Sequence, residues 1–68
     1  MWTELKYCRQ GDYIRAYFLG DSDIESSSNY TWHEIYTLEN VGGGEYYAAI
    51  EGFRGGRLSG LSDVYKKV

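Results

Sequence analysis

The chain has no proline, one cysteine and one histidine, and between Ala16 and Phe53 it has no lysine or arginine. Each shortage excludes something. Cys8 alone cannot form a disulfide within the chain. Cys8 and His33 together cannot supply the four nitrogen or sulfur ligands of a structural zinc site. Without proline, no residue of that kind blunts an exposed strand edge. No apolar run approaches the length of a membrane-spanning helix. The N-terminus carries no apolar leader core, so secretion is not expected. An unpaired cysteine suits a reducing compartment, and the expected location is the cytoplasm. Asn29-Tyr30-Thr31 matches a glycosylation tripeptide, which in that location is a coincidence.

What remains is small and aromatic. Sixty-eight residues make one domain, 1–68. Chains of this length bury only about 60 % of their unfolded surface, so cores are marginal. With disulfide and zinc excluded, stability has to come from good packing or self-association. Eight Tyr, two Trp and two Phe supply bulk. Each buries roughly 150–250 Å². Tyrosines that reach the surface also make favourable contact residues, being large and rigid.

Charge is unevenly placed. Asp21, Asp23, Glu25, Glu34, Glu39, Glu45 and Glu51 all fall in the window without cations. Lys6, Arg9, Arg15, Arg54, Arg57, Lys66 and Lys67 all lie outside it. The net charge of −3 argues against a role in coating nucleic acid, which calls for a basic surface. A concentrated negative field attracts basic partners instead.

Period-two alternation dominates the pattern. Residues 2–9 read as a strand, Gln10-Gly11-Asp12 as a turn, and Tyr13 to Leu19 as a second strand, together a hairpin. Residues 20–29 form an exposed acidic, serine-rich loop, with Ile24 as the one apolar residue able to anchor it. Residues 30–41 carry both a capping-box pattern and β-forming residues, and the strand reading is preferred. Gly42-Gly43-Gly44 turns the chain into a fourth strand, Glu45 to Phe53. Leu58, Leu61, Tyr65 and Val68 follow at helical spacing, which predicts a short C-terminal helix. The expected fold is α+β and mostly β: an antiparallel sheet of about four strands in two hairpins, with that helix. An SH3-like small β-barrel is the alternative.

The chemistry is mostly exclusion. Cys8 and His33 could meet across a sheet, but Glu34 would point to the opposite strand face and could not orient the imidazole. Ser26-Ser27-Ser28 has no base beside it in sequence and reads as a solvated run open to phosphorylation. Asp21, Asp23 and Glu25 open like a calcium loop, yet Ser26 replaces the required glycine and Trp32 the bidentate glutamate. Gly42-Gly43-Gly44 is followed by Glu45, which repels phosphate. One Arg54-Gly55-Gly56 unit does not make a nucleic-acid-binding repeat. A chain this short has little room for a sugar-sized cleft between paired carboxylates. No enzymatic activity, metal or cofactor is expected.

The expected function is a small acidic protein-binding module. It would act as an inhibitor or modulator, docking carboxylates and aromatic anchors on a basic, nucleic-acid-handling partner by imitating phosphate spacing. In size and acidity it looks like small inhibitors encoded by bacteriophages and mobile elements. The expected contact residues are Asp21, Asp23, Glu25, Tyr30, Trp32, Glu34, Tyr36, Glu45, Tyr46 and Tyr47. One alternative is a self-associating structural protein, a homodimer through aromatic strands. Another is a single-strand nucleic-acid binder, which requires a positive groove beside the tyrosines.

Overall fold

The computed structural model describes residues 1–25 and 32–68. It is mostly β, a single antiparallel sheet of six strands. The strands are β1 (Trp2–Glu4), β2 (Tyr13–Arg15), β3 (His33–Gly42), β4 (Glu45–Ile50), β5 (Phe53–Ser59) and β6 (Asp63–Lys66). Two single 3₁₀ turns, Leu5–Tyr7 and Tyr17–Leu19, interrupt the first third. The spatial order is β1-β6-β2-β3-β4-β5.

That order forces the sheet to roll. β6 stands second and β5 sixth, four strand spacings or about 19 Å apart if the sheet were flat. Only Gly60, Leu61 and Ser62 join them, a link that reaches at most about 14 Å. The sheet therefore curls until the end of β5 meets the turn after β1. Lys6 N–H donates to Gly60 O at 3.0 Å, Leu5 N–H to Ser62 O at 2.8 Å, and Gly60 N–H to Gly44 O at 2.8 Å.

The rolled interior is aliphatic. Leu5, Cys8, Ile14, Ala16, Ile35, Ala48, Ile50 and Val64 are buried together, with Phe18, Leu19, Leu38, Phe53 and Leu58 packed against them. Among the described residues no tyrosine or tryptophan is fully buried. The aromatic bulk therefore lies outside the core. Small side chains such as Ala16 and Ala48 suffice because a tightly rolled sheet leaves little internal volume to fill.

Three expectations are corrected. The first hairpin does not form: β6 inserts between β1 and β2, pairing Trp2 with Tyr65 on one side and Arg15 with Tyr65 on the other. The expected four strands are six, because the 3₁₀ turns cut the first two runs short and the C-terminal segment adds two strands. The C-terminal helix is absent. Leu58 faces the core from β5, Leu61 is exposed in the turn and Tyr65 lies on β6. Their helical spacing is an accident of two short strands separated by a tight turn.

The β3-β4-β5 meander matches its sequence more closely. Gly43 and Gly44 both adopt positive φ, +64° and +78°, as a two-residue turn of right-twisted strands requires. Glu51-Gly52 makes the second turn. Two bulges face each other across Ala49. On β3 Tyr36 is the extra residue between the pairs Ile35–Ile50 and Thr37–Ala49. On β5 Arg54 and Gly55 together oppose Ala49.

Candidate functional site

The segment Ala16 to Glu25 leaves the core, where Ala16 is buried and Phe18 and Leu19 pack, and is then held at three points. Asp21 makes the first. Its carboxylate accepts from Ala16 N–H at 3.2 Å and stands 3.0 Å from His33 Nε2. Ile24 makes the second. Its side chain is 2 % exposed, and its carbonyl accepts from Arg15 Nη1 at 3.0 Å. Glu25 makes the third, accepting from the indole N–H of Trp2. The 3₁₀ turn Tyr17–Leu19 closes on Gly20 in the left-handed region (φ +85°), where a residue without Cβ is favoured. Asp23 also has positive φ, +51°.

Beneath the segment a row of side chains crosses β1, β6 and β2 and reaches Trp32, the residue before β3. Trp2 pairs with Tyr65, and Tyr65 with Arg15. The β2–β3 register continues one step to Trp32. Trp2 meets Tyr65 edge-on at 5.4 Å and stacks with Tyr17 at 6.2 Å. Trp32 stacks with Tyr65 at 6.2 Å. The Arg15 guanidinium sits 4.3 Å from the Trp32 ring centre and is nearly buried. Lys67 Nζ lies 5.8 Å from both the Trp32 and Tyr13 rings. Burying Arg15 is tolerable because an aromatic face and a carbonyl replace its water.

Against this segment lies an open groove of about 390 Å³, lined among the described residues by Tyr17, Asp23, Ile24 and Glu25. Tyr17 is 67 % exposed. Two acidic residues and an aromatic one thus border it, a composition that suits an ammonium or guanidinium group, with one Glu25 oxygen held by the Trp2 indole N–H.

The sequence-predicted residues divide into two regions. Asp21, Asp23, Glu25 and Trp32 belong to this segment and row. Glu34 stands opposite Tyr13. Tyr36, Glu45 and Tyr47 are exposed on the meander. Tyr46 is half-buried under Gly60, where an added Cβ would come within 2.8 Å of its ring. Tyr30 and the serine run lie outside the described residues. Glu34 and Glu39 are five residues apart on β3, about 17 Å, so the carboxylates do not gather at one point. Glu25, Glu34, Glu39, Glu45 and Glu51 form no ion pair with a lysine or arginine among the described residues. On the meander, however, Tyr47 pairs with both Glu39 and Arg57, which places a cation in the same row as the acid. Sequence reasoning missed Trp2, Tyr17, Arg15 and Tyr65. Only the topology that inserts β6 between β1 and β2 brings them together.

Cys8 and His33 are engaged separately. The Cys8 thiol is in the core, 3.9 Å from Glu4 O. The His33 nitrogens face Glu51 O at 3.0 Å and the Asp21 carboxylate. Among the described residues no cluster of three or more His, Cys, Asp or Glu is arranged to hold a metal ion. Comparison of the chain with protein-family models, with curated proteins and with solved structures found no match.

Proposed function

We propose that this chain is a protein-binding module that takes a basic side chain of its partner in the groove between Tyr17, Asp23 and Glu25. The carrying observation is that groove: Asp23 and Glu25, both from the cation-free window, line it together with the exposed Tyr17. Trp2 and Tyr13, both exposed, extend the contact area on either side of the half-buried Tyr65. Flat, rigid rings beside charged groups are what anchors an interface. The role as inhibitor or modulator of a basic, nucleic-acid-handling protein remains part of the reading. Its support is the net charge of −3 and the groove. The wider imitation of a phosphate backbone draws less, because Arg57 shares a row with Glu39. The rolled sheet is read as a small, incompletely closed barrel of the SH3-like kind, acting as a rigid scaffold and not as an enzyme.

The test is capture from a lysate at low and high salt by the immobilised protein and two variants. The wild type is expected to retain a basic protein in a salt-sensitive way. Asp23→Lys with Glu25→Lys should lose it, while Glu39→Lys with Glu45→Lys should keep it. Retention by the first variant, or capture of no basic protein by the wild type, would overturn the proposal.

A further inference from the structure

β5 has an open side. It is last in the sheet order and pairs only with β4. The rolled sheet closes near Gly60, through the bond from Lys6, and not along the strand itself. Among the described residues the backbone of Phe53 to Leu58 makes no hydrogen bond beyond its pairing with β4. A row of backbone donors and acceptors is therefore available to another extended segment.

The bulge gives this edge a particular chemistry. In a regular strand, residues three apart point to opposite faces. Here Arg54 and Gly55 together oppose Ala49, and Gly56 opposes Ala48. The extra residue shifts the alternation, so Phe53 and Leu58 both pack against the core. Arg54 and Arg57 both remain exposed, on the outer face with Tyr47. Neither forms an ion pair with a carboxylate among the described residues. A side chain at Gly55 is disfavoured by its left-handed backbone (φ +91°), and a Cβ there would lie 2.7 Å from the Tyr47 hydroxyl, which would have to move aside. The two guanidiniums thus flank a stretch of bare backbone and a tyrosyl hydroxyl.

We infer that the Phe53–Arg57 part of β5 binds an extended acidic segment of a partner protein by strand addition. Backbone bonds would supply the pairing, and Arg54 and Arg57 would select carboxylates on alternate positions, about 7 Å apart. Charge decides the occupant. A second copy paired antiparallel about Gly55-Gly56 would set each Arg54 opposite the other copy's Arg57, which is unfavourable. An acidic strand meets no such opposition. Glu45 pairs with Ser59, so the far end of the edge is less favourable to anions and the site is confined to its first half. This surface is on β5, whereas the Tyr17–Glu25 groove is on the segment between β2 and β3, and it does not depend on the role proposed for that groove.

The experiment titrates the ¹⁵N-labelled full chain with a blocked heptapeptide of alternating glutamate and threonine, and with its lysine–threonine counterpart. The glutamate peptide is expected to shift the amides of Arg54 to Leu58 in a saturable, salt-sensitive manner and to slow their exchange. The lysine peptide should leave them unchanged. Arg54→Gln with Arg57→Gln should weaken binding by about fivefold or more, with an unchanged thermal midpoint because both side chains are exposed. Three results would overturn the inference: no shift along β5, an equal response to the lysine peptide, or concentration-dependent shifts along β5 without peptide.

Discussion

His33 joins three separate parts of the chain through one ring, with the Asp21 carboxylate 3.0 Å from its Nε2. The same carboxylate accepts from Ala16 N–H, while His33 Nδ1 faces Glu51 O at the β4–β5 turn. Asp21 thus serves two donors, one at the start of the segment that carries the groove and one on β3. Both groups are largely shielded from water, which strengthens the contact relative to a surface ion pair.

Asp21→Ala should accordingly lower unfolding stability by about 1–3 kcal/mol, the usual effect of leaving two donors without an acceptor. Asp21→Asn retains one acceptor and should cost less. Urea unfolding of the three proteins measures this ranking. Equal stability of wild type and Asp21→Ala would show that the segment is not held through Asp21.

Cys8 provides a pH test with a defined sign. Burial, followed by the nearby Asp12 charge, pushes its thiol from an ordinary 9.0 up to about 11. The folded state therefore holds the proton more tightly than the unfolded chain. Stability from this group is fully present below pH 9 and is lost as pH rises toward 11. Alkylation at pH 8 should be about 100-fold slower in the folded protein than in urea, since nucleophilicity follows the thiolate fraction. A folded-state rate equal to that in urea would mean that Cys8 is not enclosed.

Gly60 tests the closure of the roll. A Cβ at this position would meet Tyr46 Cε1 at 2.8 Å and Gly44 O at 3.1 Å. The ring could turn aside, but the carbonyl is held by the Gly60 N–H itself. Gly60→Ala should cost about 1–3 kcal/mol, the range for overpacking a tight contact. Pairing Gly60→Ala with Tyr46→Ala should recover only the part of that loss due to the ring. Full recovery would show that the backbone contact carries nothing.

The sequence disclosed local structure better than assembly. The strand expected over 30–41 is present as His33–Gly42, since β-forming residues there outweigh the capping pattern. The glycine turn is present because positive φ at successive residues has few other solutions. Ile24 was legible as an anchor because it is the single apolar residue in a polar stretch. Strand order was not legible. Alternation in residues 2–9 shows two faces but not that β6 comes between β1 and β2. Nor does the pattern show that Leu5 leaves the strand for a 3₁₀ turn bonded to Ser62. The aromatic row was hidden for the same reason: Trp2, Arg15, Trp32 and Tyr65 are distant in sequence and meet only through pairing. The cation-free window was visible at once. That Arg57 shares a row with Glu39 follows from register, which composition does not encode.

Arg15 and Trp32 allow the outer row to be tested apart from the core. The guanidinium lies 4.3 Å from the indole ring centre and donates to Ile24 O. Arg15→Met keeps length and apolar packing but loses both interactions. Arg15→Lys keeps the charge but not the flat fork that stacks and donates together. Both should destabilise the fold, Met by about 1–3 kcal/mol from the lost hydrogen bond and ring contact. If the row supports the groove, the Trp2 indole N–H resonance should also move in both variants, since Glu25 is attached through the next residue of the same segment. Trp32→Phe should be milder, because a smaller aromatic face still lies over the guanidinium. An unmoved Trp2 resonance in Arg15→Met, with the urea midpoint lowered, would show that Arg15 stabilises the sheet without positioning Glu25. The groove would then be held by the Asp21–His33 contact and the Glu25–Trp2 hydrogen bond without help from Arg15.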